Sequence, residues 1–265
     1  MTIKQLLTKG SEFILKSQSA SPLLDAEVLL SFALKKPKEH LFTYPEKQIN
    51  SAAEKKYLAL CKKCAQGMPV AYLTNRKEFF GLPFYVNRDV LIPHLKTEIM
   101  VYKAATDLKN SANLKIADIG TGSGCIIISL QKALGNKHQY YASDISAKAL
   151  KIAKLNARKH KAKINFKQSN LLSGWKQSFD IVIANLPYLV KETHESTKYD
   201  PKIALLSKKQ GLDHYERIFK QLQKLPAKVV YAEVDSHQAL KLKNLAQKLI
   251  PNINLIIVSD INQIF

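Results

Sequence analysis

The first 72 residues carry apolar side chains at the three- and four-residue spacing of amphipathic helices. Ser21-Pro22 predicts the start of a second helix, with serine at the N-cap, proline at the first helical position and Asp25 just behind. A third helix is predicted over residues 50–66. The pattern therefore indicates a small helical bundle with short connections. Its main apolar positions are Leu6, Leu7, Phe13, Ile14 and Leu15, then Leu24, Val28, Leu29 and Phe32, then Tyr57, Leu58, Leu60 and Cys61.

The helical spacing stops at Gly67-Met68-Pro69, and residues 79–86 predict two short strands around a turn at Gly81. From residue 96 onward, helical and strand patterns alternate, which predicts an α/β fold with a mostly parallel sheet and helices on both faces. Strands are predicted over 114–119, 139–143, 163–168, 179–184, 227–233 and 253–258, and helices over 96–109, 124–134, 146–160, 212–224 and 236–249.

Two further segments complete the division of the chain. Residues 189–210 are predicted to form a long polar connection after the NLPY motif at residues 185–188, and such connections are usually functional or mobile. Residues 261–265 predict a short last strand that pairs antiparallel with its predecessor. We therefore expect a helical domain over residues 1–72, a linker hairpin over 73–92 and a catalytic domain over 93–265.

Composition narrows the class of protein. The chain has 265 residues, 46% of them hydrophobic, and no apolar run approaches the length of a membrane span. The first residues lack the pattern of a signal peptide, and three cysteines make a disulfide framework unexpected. These features predict a soluble cytoplasmic protein. Cys61 and Cys64 form a CxxC pair on a predicted helix, where we expect packing rather than a metal or redox role.

The net charge of +20 is unusual and is spread along the whole chain. A lysine-rich surface that is merely solvated explains it most simply. The functional interpretation is a large acidic partner, either nucleic acid or an acidic protein, whose encounter is steered electrostatically. Charge alone does not choose between these partners.

Candidate chemistry begins with Asn185-Leu186-Pro187-Tyr188, which follow the strand predicted over residues 179–184. The asparagine side-chain oxygen and the leucine carbonyl can both accept hydrogens from a planar NH2 group. Pro187 restricts the backbone before it and so holds that carbonyl, and Tyr188 offers a flat face. We therefore predict these four residues to be catalytic. A strand that ends in a proline turn is the simpler interpretation of this motif alone.

A glycine-rich loop ends the strand predicted over residues 114–119 and opens a helix. Glycines permit a tight turn and the close approach of a ligand. The spacing GxGxG differs from the GxGxxG of dinucleotide-binding loops. The predicted cofactor-binding residues of this loop are Asp118, Gly120, Thr121, Gly122, Ser123 and Gly124.

Asp144 ends the next predicted strand, where a carboxylate can bind the two hydroxyls of a ribose. Together with the glycine loop and Asn185, it predicts S-adenosylmethionine as the cofactor, and no metal is predicted. The methionine part would lie over the loop, the ribose on Asp144 and the adenine near Asn170-Leu171. A solvated carboxylate at a strand end is the alternative interpretation of Asp118.

These motifs resemble the class I methyltransferases that methylate the glutamine side-chain amide of peptide-chain release factors, the HemK/PrmC family. The resemblance covers nearly the whole chain. It is carried by Ser21-Pro22-Leu23-Leu24-Asp25-Ala26-Glu27, Gly67-Met68-Pro69-Val70-Ala71-Tyr72, Glu78-Phe79-Phe80-Gly81, Val90-Leu91-Ile92-Pro93, the NLPY motif and Gln210-Gly211-Leu212-Asp213-His214-Tyr215.

The resemblance implies a Rossmann-like catalytic domain behind a helical domain that recognises the substrate. It implies methyl transfer from S-adenosylmethionine to the N5 nitrogen of a glutamine in the GGQ loop of a release factor, expected to be acidic. The alternative is an rRNA or DNA adenine N6-methyltransferase, which also holds a planar NH2 group and suits the positive charge. No dedicated base is evident, and we expect His94 and His194 to be surface or packing residues.

The chain departs from the family pattern at four places. Leu186 stands where proline is usual, and His94-Leu95 replaces an arginine–proline pair. Asn170 stands where aspartate is usual, and Asp235 where glycine is usual. Because position 186 is expected to act through its backbone carbonyl, we expect the site to tolerate leucine there.

Overall fold

The computed structural model describes residues 1–17, 19–191, 197–260 and 263–264, and these form two compact units. The first unit contains Met1–Arg76 and residues 197–199. The second contains residues 77–191, 200–260 and 263–264. No helix within these ranges is both long and apolar enough to cross a bilayer.

The first unit is helical, as the spacing of apolar residues predicts. The three predicted helices are present, whereas α3 and α5 are too short to show a periodic pattern. The predicted start of α2 is confirmed, with Ser21 at the N-cap position and Pro22 as the first helical residue, although the Ser21 side chain makes no capping hydrogen bond. Asp25 instead accepts a hydrogen bond from the Ser19 hydroxyl at 2.6 Å. The helices are α1 (Ile3–Leu15), α2 (Pro22–Leu34), α3 (Lys38–Thr43), α4 (Ser51–Ala65) and α5 (Val70–Thr74).

The CxxC pair packs in the core of this helical unit. Cys61 is fully buried and Cys64 is 5% exposed, both among apolar side chains of α1, α2 and α4. Burial raises the pKa of the Cys61 thiol to about 11 and that of Cys64 to about 12, so both thiols are neutral at ordinary pH. The expected packing role of the two cysteines is confirmed.

A β-hairpin begins the second unit. Its strands are β1 (Arg76–Phe79) and β2 (Leu82–Tyr85), so the predicted hairpin is confirmed but begins three residues earlier than residue 79. Both turn residues, Phe80 and Gly81, have positive φ of 51° and 71°, the geometry that matches the twist of paired strands. The Phe80 amide donates to Glu98 Oε1 at 3.0 Å, which fastens this turn to the next helix.

The rest of the second unit is a seven-stranded sheet with helices, in the strand order β5-β4-β3-β6-β7-β8-β9. All neighbouring pairs are parallel except β8 and β9, so the predicted antiparallel last strand is confirmed. The strands are β3 (Lys115–Ile119), β4 (Gln139–Asp144), β5 (Asn165–Gln168), β6 (Ile181–Ala184), β7 (Val229–Glu233), β8 (Asn254–Asp260) and β9 (Gln263–Ile264). The helices are α6 (Leu95–Leu108), α7 (Cys125–Leu134), α8 (Ala147–Lys159), α9 (Lys202–Leu205), α10 (Asp213–Leu222) and α11 (Ser236–Leu249).

The strand order sets the position of the site. The chain runs from β3 outward to β4 and β5 and then returns to the other side of β3 with β6. In such doubly wound sheets, ligands bind at the carboxyl ends of the strands where the order reverses. The glycine loop follows β3 and Asn185 follows β6, so the two predicted motifs end at this crevice. The polar connection predicted over residues 189–210 contains regular structure. α9 lies within it, and a 3-10 turn at Lys209–Gly211 begins there.

Candidate active site

A cavity of about 140 Å³ opens at this crevice, lined by residues that follow β3, β4, β5 and β6. Eight of the predicted site residues line it. They are Gly120, Gly122, Asp144, Asn170, Leu171, Asn185, Leu186 and Pro187. The structure therefore brings together the glycine loop, the strand-end carboxylate and the NLPY motif, which together span more than 60 positions in sequence.

The glycine loop is fastened to the end of β4. The amides of Gly120 and Thr121 donate to the Ser143 carbonyl at 2.8 and 2.9 Å. The Gly122 amide donates to Asp144 Oδ2 at 2.9 Å, and the Ser146 amide donates to Asp144 Oδ1 at 2.8 Å. A carboxylate has about four acceptor positions, so Asp144 can accept further hydrogen bonds from the cavity side.

The other predicted residues of the glycine loop do not line the cavity but stabilise the conformation of the loop. Thr121 and Ser123 are buried, and the Thr121 hydroxyl donates to Asp118 Oδ2 at 2.6 Å. Gly124 has φ of 81°, and a Cβ there would lie 3.2 Å from the Ala153 Cβ. The third glycine therefore permits close packing of α7 against α8.

Asp118 is a fully buried carboxylate, so the alternative of a solvated strand end is wrong. Its Oδ1 atom has no hydrogen-bond partner within the described ranges. Burial is the main cause that raises its pKa to about 7, and the nearby Asp144 carboxylate adds to the rise. The hydrogen bond from Thr121 opposes it.

The far end of the cavity contains a polar pair. Arg217 donates to Asn170 Oδ1 at 2.7 Å, and both residues line the cavity. His214 lines it too, and burial is the main cause that lowers the pKa of its imidazole. Asn170, which stands where the family usually has aspartate, therefore has Arg217 as a cationic partner. An aspartate at this position would attract the same arginine.

Asn185 is half-buried, and its side chain is held by one hydrogen bond. Its Nδ2 donates to Thr97 Oγ1 at 3.1 Å, whereas Oδ1 accepts no hydrogen bond from the described part of the chain. The Leu186 side chain is 2% exposed and packs in the core beneath the sheet's end. Leu186 therefore contributes packing in addition to the backbone carbonyl that the sequence singled out.

Tyr188 lies beside the cavity, between two charged groups. Its hydroxyl donates to Glu233 Oε1 at 3.4 Å, and Lys96 Nζ lies 5.6 Å from its ring centroid. Lys96 in turn donates to the Val234 carbonyl at 2.8 Å and lies 3.7 Å from Asp235 Oδ1. Asp235, which stands where the family usually has glycine, thus orients Lys96 next to Tyr188 of the NLPY motif.

Comparisons with known proteins identify the family of a chain with this fold and cavity. A family model for the PrmC N-terminal domain matches residues 5–74, and one for the methyltransferase small domain matches residues 97–204. A release factor glutamine methyltransferase of Koribacter versatilis is 33% identical over 230 residues, which cover 84% of this chain and 81% of that relative. The chain belongs to the release factor glutamine methyltransferase family. A second relative of that name, from Coxiella burnetii, is 37% identical over 217 residues, which cover 80% of this chain and 77% of the relative.

A solved structure supports the fold of this methyltransferase family member. The hMettl16 catalytic domain in complex with MAT2A 3'UTR hairpin 1 matches with a TM-score of 0.52 at 16% identity, covering 72% of this chain and 71% of that one. This likeness concerns the fold alone. The predicted α/β class I methyltransferase fold, with its mostly parallel sheet and N-terminal helical domain, is confirmed.

The late family motif lies directly under the NLPY loop. A Cβ on Gly211, which has φ of 89°, would lie 2.1 Å from the Tyr188 carbonyl oxygen. Gln238 Nε2 donates to both the Tyr188 and the Gln210 carbonyls at 2.9 Å. The Tyr215 hydroxyl lies 2.9 and 2.7 Å from the carbonyl oxygens of Ala184 and Glu233 and shares its one hydrogen between these two acceptors. The motif therefore fixes the backbone on both sides of the candidate catalytic residues.

Sequence reasoning missed several residues of this site. Among those that line the cavity are Asp89, Val90, Leu91, His214 and Arg217. Thr97 and Glu233 were also missed, and the signal that could have found Thr97 is its place just after His94-Leu95, where the chain departs from the family pattern. His94 is exposed at the N-cap of α6, which agrees with the expectation of a surface residue. His194 lies outside the described residues.

Proposed function

We propose that this protein transfers a methyl group from S-adenosylmethionine to the N5 nitrogen of a glutamine in a peptide-chain release factor. The observation that carries the proposal is that Asn185, with an unengaged side-chain oxygen, lines the same cavity as Gly120 and Asp144. Membership of the family, whose relatives are named for this activity, supports it.

The residues around the cavity fit the cofactor. A Cβ on Gly122 would meet no atom within 4 Å, so the backbone there is open to a ligand. We propose that the Asp118–Gly124 loop holds the methionine part, Asp144 the ribose hydroxyls and Asn170-Leu171 the adenine. Asp118, Thr121, Ser123 and Gly124 act by supporting that loop. When bound, the cofactor supplies a methyl group already activated by its sulfonium.

The chemistry left to the protein is positioning, because an amide nitrogen is a poor nucleophile whose lone pair is delocalised. Asn185 Oδ1 and the Leu186 carbonyl would accept the two amide hydrogens and turn the nitrogen toward the methyl group. Pro187 restricts the backbone that carries this carbonyl, and Tyr188 offers a flat face for the amide. Contacts that strengthen as positive charge grows on nitrogen are each worth roughly 2–4 kcal/mol in the transition state.

We also propose a division of labour along the chain. Residues 1–72 would recognise the release factor, residues 73–92 would link the domains, and residues 93–265 would bind the cofactor and transfer the methyl group. An acidic release-factor surface would match the net charge of +20. The cytoplasm, where translation terminates, is the expected compartment.

The proposal is tested by offering two substrate classes to the wild-type protein with labelled S-adenosylmethionine. One reaction contains a purified release factor, and the other contains rRNA. Label in the factor supports the proposal. Label in rRNA alone would overturn it in favour of adenine N6-methylation, which the positive charge of the chain also suits.

A further inference from the structure

The hydrogen bond that holds the Asn185 side chain is accepted by Thr97, a residue with no assigned role. Thr97 lies in the first turns of α6 and is 3% exposed. Its Oγ1 atom accepts from Asn185 Nδ2 at 3.1 Å, between residues 88 positions apart. An asparagine amide can turn by half a rotation and exchange its oxygen and nitrogen at little cost unless a neighbour distinguishes them.

The observed contact distinguishes the two ends of the Asn185 amide. Its nitrogen has a partner inside the fold, Thr97 Oγ1, whereas its oxygen accepts no hydrogen bond from the described part of the chain. Asn185 lines the cavity, so the end without an internal partner is the one available to a ligand.

We propose that Thr97 is a positioning residue that keeps the oxygen of Asn185 turned toward the cavity and the substrate amide. The inference rests on the proposed function, since it concerns how the acceptor for that amide is aimed. In the opposite orientation, Asn185 would present an NH2 group to another NH2 group, and the amide nitrogen would lose one of its two acceptors.

Two substitutions of Thr97 separate positioning from packing. Thr97→Val keeps the shape and removes the hydroxyl, whereas Thr97→Ser keeps the hydroxyl and removes a buried methyl. Positioning predicts that Thr97→Val lowers kcat for release-factor methylation about 10- to 100-fold, the scale of a misplaced catalytic contact. Thr97→Ser should stay within about threefold of wild type. A packing role predicts the reverse order, and that result would overturn the proposal.

A double-mutant cycle tests whether Thr97 acts through Asn185. In an Asn185→Ala background, Thr97→Val should cause no further loss of kcat, because the group it aims is absent. A further loss equal to that seen in the wild-type background would overturn the inference. Thr97→Ala also removes the hydroxyl and covers the case in which Thr97→Val does not fold. Its kcat should fall at least fivefold below wild type, and an unchanged kcat would overturn the proposal.

Failure of this inference is distinguishable from failure of the proposed function. If the proposed function is wrong, the wild-type protein does not label the release factor at all. If only the inference is wrong, wild type labels the factor and Thr97→Val labels it equally fast.

Discussion

Leu186 shows how a single residue of the NLPY motif serves two purposes. The proposed chemistry uses its backbone carbonyl, which every amino acid has, whereas its side chain is 2% exposed in the core. The sequence pattern indicated the role of the carbonyl but did not indicate the packing role of the side chain. A substitution at this position should therefore separate stability from catalysis.

We expect Leu186→Ala to lower the free energy of unfolding by about 2–5 kcal/mol, the range for removing a buried leucine side chain. Its kcat for release-factor methylation should stay within a few-fold of wild type at a temperature where the variant is folded. Urea unfolding and steady-state kinetics measure the two quantities. A folded variant with a hundredfold lower kcat would show that the leucine side chain itself positions the amide.

Asp118 makes stability depend on pH. Its pKa is about 7 in the folded protein against 3.8 for an ordinary aspartate, so the folded state binds more protons between these values. The contribution to stability is therefore full below about pH 4 and is lost as the pH rises through about 7. The difference between the two pKa values corresponds to at most about 4 kcal/mol.

We expect Asp118→Asn to remove this dependence in the cofactor-free protein. From pH 5 to pH 8, the wild-type free energy of unfolding should fall by more than that of the variant. Urea titrations of both proteins at the two pH values measure the difference. Equal changes in the two proteins would mean that Asp118 is ionised at low pH in the folded state.

At the scale of elements, the structure explains why the late motif accompanies NLPY. Gly211 lies so close to the Tyr188 carbonyl that no side chain fits between the 3-10 turn and the loop after β6. Gln238 on α11 also donates to this carbonyl. The 3-10 turn and α11 thus determine the backbone path of the loop after β6.

Gly211→Ala should displace the NLPY loop and lower methylation at least tenfold, because the new Cβ would overlap the Tyr188 carbonyl. Gly135→Ala is the matched control. Gly135 also has positive φ, at 75°, but a Cβ there would meet no atom within 4 Å. The control should lose about 1–3 kcal/mol of stability from backbone strain and keep its activity. Equal activity of the two variants would contradict the proposed role of the motif.

Most long elements could be predicted from the sequence because their apolar spacing repeats over ten or more residues. The helices α3, α5 and α9 were missed, since four to six residues are too few to show a period. The glycine loop, Asp144 and Asn185 were found because motifs and strand ends place them. Thr97, Glu233 and Arg217 were missed because only the folding of distant segments brings them to the site.

At the scale of the whole molecule, the two compact units have separate cores. Every described residue that lines the candidate cavity belongs to the second unit. The first unit exposes large apolar side chains on its surface, among them Leu15, Leu23 and Leu24. These features suit one unit for the cofactor and the other for a protein partner.

Deletion of residues 1–72 should abolish methylation of the intact release factor and leave cofactor affinity within a few-fold of the full chain. Calorimetry with S-adenosylmethionine confirms that the remaining unit is folded and binds. Labelling of the intact factor at the full-length rate by the truncated protein would contradict the proposed division of labour.

The central claim is that Asn185, at the end of β6, holds a glutamine amide for methylation. The most direct measurement is mass spectrometry of a release factor after incubation with S-adenosylmethionine and either wild-type protein or Asn185→Ala. Wild type should add one methyl group to a single glutamine side chain, and the variant should do so about 10²- to 10³-fold more slowly, the usual loss for one preorganised polar contact. A methyl group on any other residue type, or equal rates for the two proteins, would contradict the account.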